Sequence, residues 1–147
     1  MERFRMELES LSKNEEFARV VVAVFLSRLD PTLEEIDDVK TAVSEAVTNA
    51  EIHGYGGEKG AITVEVETEG KELTVVVEDY GVGIRDVEKA MEPMFTTDKT
   101  GTRSGMGFSF MEAFMDQVHV ESEPGKGTKV VMRKQIGRGC AWMRQWI

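Results

Sequence analysis

Ser44-Glu45-Ala46-Val47-Thr48-Asn49-Ala50-Glu51-Ile52-His53-Gly54 is the stretch on which the reading of this chain turns. Glu45, Asn49 and His53 recur every four residues, so a helix would line them up along one face. At about 100° per residue, that polar stripe lies beside an apolar one made by Ile36, Val39, Val43, Ala46, Val47 and Ala50. A carboxylate, an amide and an imidazole at the margin of a buried face are costly without partners, and a pocket wall would supply them. A half-buried helix with polar boundary residues is the plainer reading, and this stretch alone does not separate the two. Asp37, Lys40, Ser44 and Glu51 fall on the far side, where they can face water.

Working outward, Thr32 and Glu35 form a capping-box pattern that opens this helix after the breaker Asp30-Pro31, and Gly54, Gly56 and Gly57 close it. Ser12 and Glu15 repeat the pattern at the head of an earlier helix over residues 13–29. Phe17, Val20, Val21, Val24 and Phe25 would face the core from it. Val22, Ala23 and Leu26 make the apolar face wider than one core requires, as expected of a helix that meets a second subunit or one sandwiched within its own domain. Phe4, Met6 and Leu8 alternate with charged residues as in a strand buried on one side.

Beyond the central helix, Ile62, Val64 and Val66, then Leu73, Val75 and Val77, alternate around Glu69-Gly70-Lys71 and predict a β-hairpin. A short helical piece is expected around residues 86–90. Residues 92–103 have no period and read as a loop. Phe110, Met111, Phe114 and Met115 mark an amphipathic helix. Val118 and Val120 lie in a strand, Pro124-Gly125-Lys126-Gly127 turns, and residues 128–134 form the last strand. This order predicts an α+β domain, a two-layer sandwich whose mixed sheet carries its helices on one face. Residues 1–136 are read as a single domain and 137–147 as a disordered tail.

The 147-residue length suits one domain with its own core. A net charge of −9 argues against general binding of nucleic acid or anionic membranes, which requires clustered Lys and Arg. There is no apolar run that would span a bilayer and no signal-peptide pattern, so a cytoplasmic protein is expected. The single cysteine, Cys140, agrees with a reducing compartment.

Two glycine clusters carry further chemistry. Asp79-x-Gly81-x-Gly83 follows a strand, where a carboxylate is held rigidly and the glycines let a ligand approach the backbone. An ionised aspartate there could accept from an exocyclic amine such as that of adenine. Ser104-Gly105-Met106-Gly107 precedes a helix, an arrangement whose free N–H groups can hold phosphate oxygens, with Lys99 and Arg103 as nearby cations. It is neither a Walker A loop nor a Rossmann fingerprint. Taken singly, each could be an ordinary turn.

Taken in order, Glu45/Asn49/His53, Asp79-x-Gly81-x-Gly83, Phe95-Thr96-Thr97, Gly105-x-Gly107 and Gly127-Thr128 resemble the boxes of the ATPase superfamily of gyrase B, Hsp90, histidine kinases and MutL. Within it, Asn14-Glu15-Glu16-Phe17-Ala18-Arg19 and Arg103-Ser104-Gly105-Met106-Gly107-Phe108 are most similar to the anti-sigma factor serine kinases, in their sporulation branch. The resemblance implies a Bergerat-type ATP-binding fold with ATP or ADP and Mg²⁺ as ligands. Asn49 would coordinate the Mg²⁺, Asp79 would read the adenine amine, and Gly81, Gly83, Gly105, Gly107 and Thr128 would line the pocket. Residues 93–103 would act as a lid, with Thr97, Arg103, Ser104 and His53 near the phosphates. His53 could instead cap its helix. Glu45 would be the general base that takes a proton from a serine hydroxyl. Arg19 would belong to a surface shared by a sporulation sigma factor and its anti-anti-sigma antagonist, the phosphorylation substrate, and the first strand and helix would support a homodimer.

A general-stress anti-sigma kinase shares this chemistry. The catalytic half of a histidine kinase would need its phospho-accepting histidine on a partner chain, because His53 and His119 are the only histidines and neither precedes the motifs on a helical hairpin. A non-catalytic ATP-dependent interaction module is the third alternative.

Overall fold

The computed structural model describes residues 1–91 and 107–137. Strand β1 (Glu2–Glu9) leads to helix α1 (Lys13–Leu26), which continues as a tight 3₁₀ turn, Ser27–Leu29. Helix α2 (Leu33–Asn49) ends in a wider π turn, Ala50–Gly54. The hairpin β2 (Ala61–Glu69) and β3 (Glu72–Asp79), the short α3 (Val87–Ala90), α4 (Gly107–Phe114), β4 (Gln117–Glu123) and β5 (Gly127–Gln135) follow. None of the described helices is long and apolar enough to cross a membrane.

The five strands form one sheet in the order β1-β2-β3-β5-β4, and every neighbouring pair is antiparallel. The two-layer α+β class is as expected, but the sheet is not mixed. After α4 the chain enters at the far edge as β4 and returns by a hairpin, so that β5 is inserted between β3 and β4 and runs against both. Parallel neighbours would have required β4 itself to lie beside β3.

Register stacks the alternating apolar residues into continuous rows on the inner face. Met6, Val64, Val77, Val130 and Val120 make one row, and Phe4, Val66, Val75, Met132 and Val118 the next. The third row, Leu8, Ile62, Asp79, Thr128 and Ser122, turns polar halfway across. Helix α2 covers this face with Val39, Ala42, Val43, Ala46 and Val47, joined by Ala50 of the π turn, all buried. Its capping box forms as predicted: Glu35 N donates to Thr32 Oγ1 at 3.0 Å and Thr32 N to Glu35 Oε1 at 2.9 Å. The same buried carboxylate accepts from Gly137 N at 3.0 Å, fastening the chain beyond β5 to the start of α2. Residues 138–147, most of the expected tail, lie outside the described residues.

The facing of α1 differs from expectation. Ala18, Val22, Phe25 and Leu26 are its buried residues, while Phe17, Val20 and Val24 are 48%, 46% and 67% exposed. With apolar residues around most of its circumference, the helix is oriented by its neighbours. Small Ala18 suits close packing on α2, and Phe25 meets the Phe4 ring edge-on at 4.9 Å. Nor does the Ser12 capping box form, because Ser12 is itself in helical conformation and makes no side-chain cap. Asn14 Nδ2 instead donates to Glu9 O at 2.8 Å. Glu15, freed from that duty, reaches across to α2.

Candidate functional site

Asp79 is the last residue of β3 and only 4% exposed. Burial pushes its carboxyl above the usual carboxylate range, the backbone N–H groups of Gly81 and Thr128 pull it back, and Glu78 adds to the rise. Gly81 N donates to Asp79 Oδ1 at 2.9 Å. An ionised carboxylate offers about four acceptor positions, so capacity remains for a ligand donor.

Glycines bring the surrounding backbone against this group. A Cβ on Gly54 would lie 2.8 Å from the Asp79 carboxylate, and one on Gly81 would lie 1.9 Å from Gly54 O. Gly127, at φ +96°, would put a Cβ 2.1 Å from Asp79 O. The loop after Asp79 is fastened on both sides: Val82 N donates to Gly54 O at 2.8 Å, and Gly125 N to Val82 O at 2.7 Å. Gly83, at φ +76°, passes so close to the β4–β5 turn that a Cβ would meet Glu123 O at 2.0 Å. Ile84 N donates to Ser122 Oγ at 2.7 Å, and Ser122 Oγ lies 2.8 Å from Thr128 Oγ1. The predicted residues Asp79, Gly81, Gly83 and Thr128 therefore lie in one bonded and closely packed unit. Gly54 and Ser122 belong to it, as does Tyr55, whose hydroxyl accepts from Tyr80 N at 2.8 Å.

Glu45 and Asn49 are half-buried on α2, one turn apart, as the four-residue spacing requires. His53 is also half-buried, but it lies in the π turn, where Tyr55 N reaches back five residues to Ala50 O at 3.1 Å. Each residue of a π turn advances by a smaller angle than in an α-helix, so His53 falls behind the line through Glu45 and Asn49. That widening carries Gly54 onto Asp79, so the helix bearing Glu45 and Asn49 ends against the buried carboxylate.

Gly107 is the first residue of α4, which packs on α2 through fully buried Met111. Phe95, Thr97, Lys99, Arg103, Ser104 and Gly105 lie outside the described residues, as does the proposed lid. Arg19 lies on α1 with its Nε 3.6 Å from Glu15 Oε1. The same carboxylate oxygen accepts from the hydroxyl of Ser44, the neighbour of Glu45. Ser44, expected to face water, is half-buried against α1 for this reason, and Lys40 and Glu51 are half-buried too, whereas Asp37 is exposed.

The buried Asp79 carboxylate, held in a loop that its glycines let pack tightly, keeps acceptor capacity that fits a ligand carrying an exocyclic amine. Among the described residues no group of three His, Cys, Asp or Glu side chains is arranged to hold a metal. A Mg²⁺ ion at Asn49 would be held jointly with ligand phosphates, which is how this cation is commonly bound.

The model of the histidine kinase-like ATPase domain family matches residues 8–134. The anti-sigma F factor of Clostridium acetobutylicum is 60% identical over 134 residues, covering 90% of this chain and 94% of the relative. That of Pasteuria penetrans is 55% identical over 140 residues, covering 92% and 93%. Among solved structures, a chain with the RsbU and RsbW domains of a Mycobacterium tuberculosis protein superposes with a TM-score of 0.66 at 18% identity, over 92% of this chain and 32% of that one. The catalytic domain of the histidine kinase ThkA, nucleotide-free, superposes with a TM-score of 0.54 at 18% identity, over 92% and 97%. At these identities the two structures bear on the fold alone.

Proposed function

The chain belongs to the anti-sigma F factor family, within the histidine kinase-like ATPase domain, and from that premise we propose that it inhibits a sporulation sigma factor by binding it and, with Mg-ATP, phosphorylates the antagonist of that inhibition on serine. The observation that carries the reading is the buried Asp79 carboxylate in its glycine cradle, joined through Gly54 to the helix of Glu45 and Asn49. Asp79 accepts from the adenine amine, and Gly81, Gly83 and Thr128 shape the space beside it. Asn49 holds Mg²⁺ together with the ATP phosphates; the ion supplies charge neutralisation where the phosphoryl group is transferred. Thr97, Arg103, Ser104, Gly105 and Gly107 are assigned to the phosphates from sequence, and His53 to the same end of the pocket.

Glu45, one turn before Asn49, orients the antagonist's serine hydroxyl and takes its proton as the oxygen attacks the terminal phosphoryl group, releasing ADP. The phosphoserine product carries about −1.5 to −2 charge, which weakens its hold on an already acidic protein. The partner surface includes Arg19, and the Glu15–Ser44 hydrogen bond supports its coupling to the nucleotide helix. A homodimer through β1 and α1 is supported by the outward apolar residues Phe17, Val20 and Val24. One hydrophobic core among the described residues supports the reading of 1–136 as a single unit, and the reading sets it in the cytoplasm.

Calorimetric titration with the sigma factor tests the binding half. Binding is expected with Mg-ATP and at least about tenfold weaker for Asn49→Ala. Equal affinity for both proteins with and without nucleotide would contradict the reading.

A further inference from the structure

We propose that Tyr55 is a positioning residue for adenine recognition, its phenolic oxygen fixing the loop that aims the Asp79 carboxylate. The proposal rests on the nucleotide reading of the site given above. Three successive N–H groups follow Asp79, and each has a partner. Tyr80 N donates to the Tyr55 hydroxyl oxygen at 2.8 Å, Gly81 N to Asp79 Oδ1 at 2.9 Å, and Val82 N to Gly54 O at 2.8 Å. Two of the three acceptors are thus adjacent residues at the end of the central helix, and they flank the bond that orients the carboxylate.

The Tyr55 hydroxyl also donates to Ala61 O, at the start of β2, next to the residue Ile62 that pairs with Asp79. A hydroxyl can serve both ends because it has one proton to donate and lone pairs to accept with. The loop is therefore fixed to the helix end and to the neighbouring strand through one oxygen atom. The ring is fixed as well. It packs over Gly60, where a Cβ would lie 2.3 Å from Tyr55 Cε1. Gly60 is held in turn by Ser10, whose N–H donates to Gly60 O and whose Oγ accepts from Gly60 N, both at 2.9 Å.

Loss of the hydroxyl alone leaves Tyr80 N and Ala61 O without this partner while the ring keeps its packing. Tyr80 N is one peptide away from the Gly81 N–H, one of the two backbone groups that hold the Asp79 carboxylate, so the carboxylate loses part of its fixed direction rather than its presence. Adenine, which requires a directed acceptor, is affected more than a nucleotide bound through its phosphates alone.

The test compares ADP and GDP binding to wild type, Tyr55→Phe and Asp79→Asn by competition titration, with amide hydrogen exchange at residues 80–82. Tyr55→Phe is expected to weaken ADP about five- to tenfold and GDP less than about twofold, with faster exchange at Tyr80. If Tyr55→Phe retains ADP preference, or loses both nucleotides equally, while Asp79→Asn loses the preference, the assignment of Tyr55 is overturned and the adenine reading stands. If Asp79→Asn retains the preference, the adenine reading fails and the proposal with it. Should Tyr55→Phe not fold, Gly60→Ala displaces the ring while leaving the hydroxyl. It must produce the same loss of preference, and retention overturns the proposal.

Discussion

Replacing Gly81 with alanine separates the two elements on which the site depends. The new Cβ would lie 1.9 Å from Gly54 O and 2.3 Å from Gly54 C, both backbone atoms, where ordinary contact begins at 3.4 Å. Relief requires the loop and the end of the central helix to part by about 1.5 Å, which the 2.8 Å bond from Val82 N to Gly54 O cannot survive. Overpacking and an orphaned backbone pair each cost about 1–3 kcal/mol, so the total is roughly 2–6 kcal/mol. At about 2–4 °C per kcal/mol for a chain of this size, Tm should fall by roughly 4–24 °C. ADP at about 100 times its Kd should add ~2.7 kcal/mol to the wild type and little to Gly81→Ala. Gly70→Ala is the control: at φ +60° with nothing within 4 Å, it strains only its own backbone, by about 1–2 kcal/mol. Scanning calorimetry with and without ADP reads both quantities. A wild-type Tm and a wild-type ADP shift in Gly81→Ala would show that the loop and the helix end do not depend on this close approach.

Asp79 gives a prediction against pH. Its folded pKa lies above the unfolded value, so through the window from the ordinary carboxylate range upward the folded state binds more protons. Stability from this group therefore falls as pH rises through that window. Asp79→Asn should be at least as stable as wild type at neutral pH, with the gap closing in acid; urea midpoints showing a wild-type advantage that grows with pH would contradict this. Glu35→Ala removes the acceptor for both Thr32 N and Gly137 N and should cost about 1–2 kcal/mol at unchanged urea m-value; an unchanged midpoint would show that the cap contributes little. Val24→Asp, on the exposed stripe of α1, should yield a folded monomer by sedimentation equilibrium, and a dimer of native affinity would remove this face from the proposed interface.

Much of the fold was legible because local chemistry and register agree. The hairpin follows from strict alternation around Gly70, and the start of α2 from Thr32 and Glu35, whose side chains make the reciprocal bonds that define a cap. Pairwise order was less accessible. Periodicity locates β4 and β5 but does not say that β5 is inserted beside β3, because that choice depends on the crossover and not on either strand. The facing of α1 failed for a related reason. Residues 17–26 are apolar nearly all round, so no single stripe stands out, and contact with α2 and Phe4 decides. In the site, Asp79, Gly81 and Gly83 could be picked out because an acidic residue followed by spaced glycines is a local pattern. Tyr55 and Ser122 act through neighbours 25 and 38 residues away, and a lone tyrosine after Gly54 gives no periodic or motif signal. The four-residue spacing of His53 gave no sign of the π turn in which it lies, because residue spacing alone does not separate a π turn from the α-helix before it.

ATP-dependent transfer of phosphate to a serine of the antagonist, with Glu45 as base, is the reaction on which the proposed function stands. Mass spectrometry of an anti-anti-sigma protein after incubation with this chain and Mg-ATP, wild type beside Glu45→Ala, tests it most directly. A phosphoserine adduct is expected with wild type and none, or a rate lower by about 10²–10⁴-fold, with the variant. An equal rate from Glu45→Ala would contradict the assignment of the base, and no adduct from a wild-type protein shown to bind ATP would contradict the kinase itself.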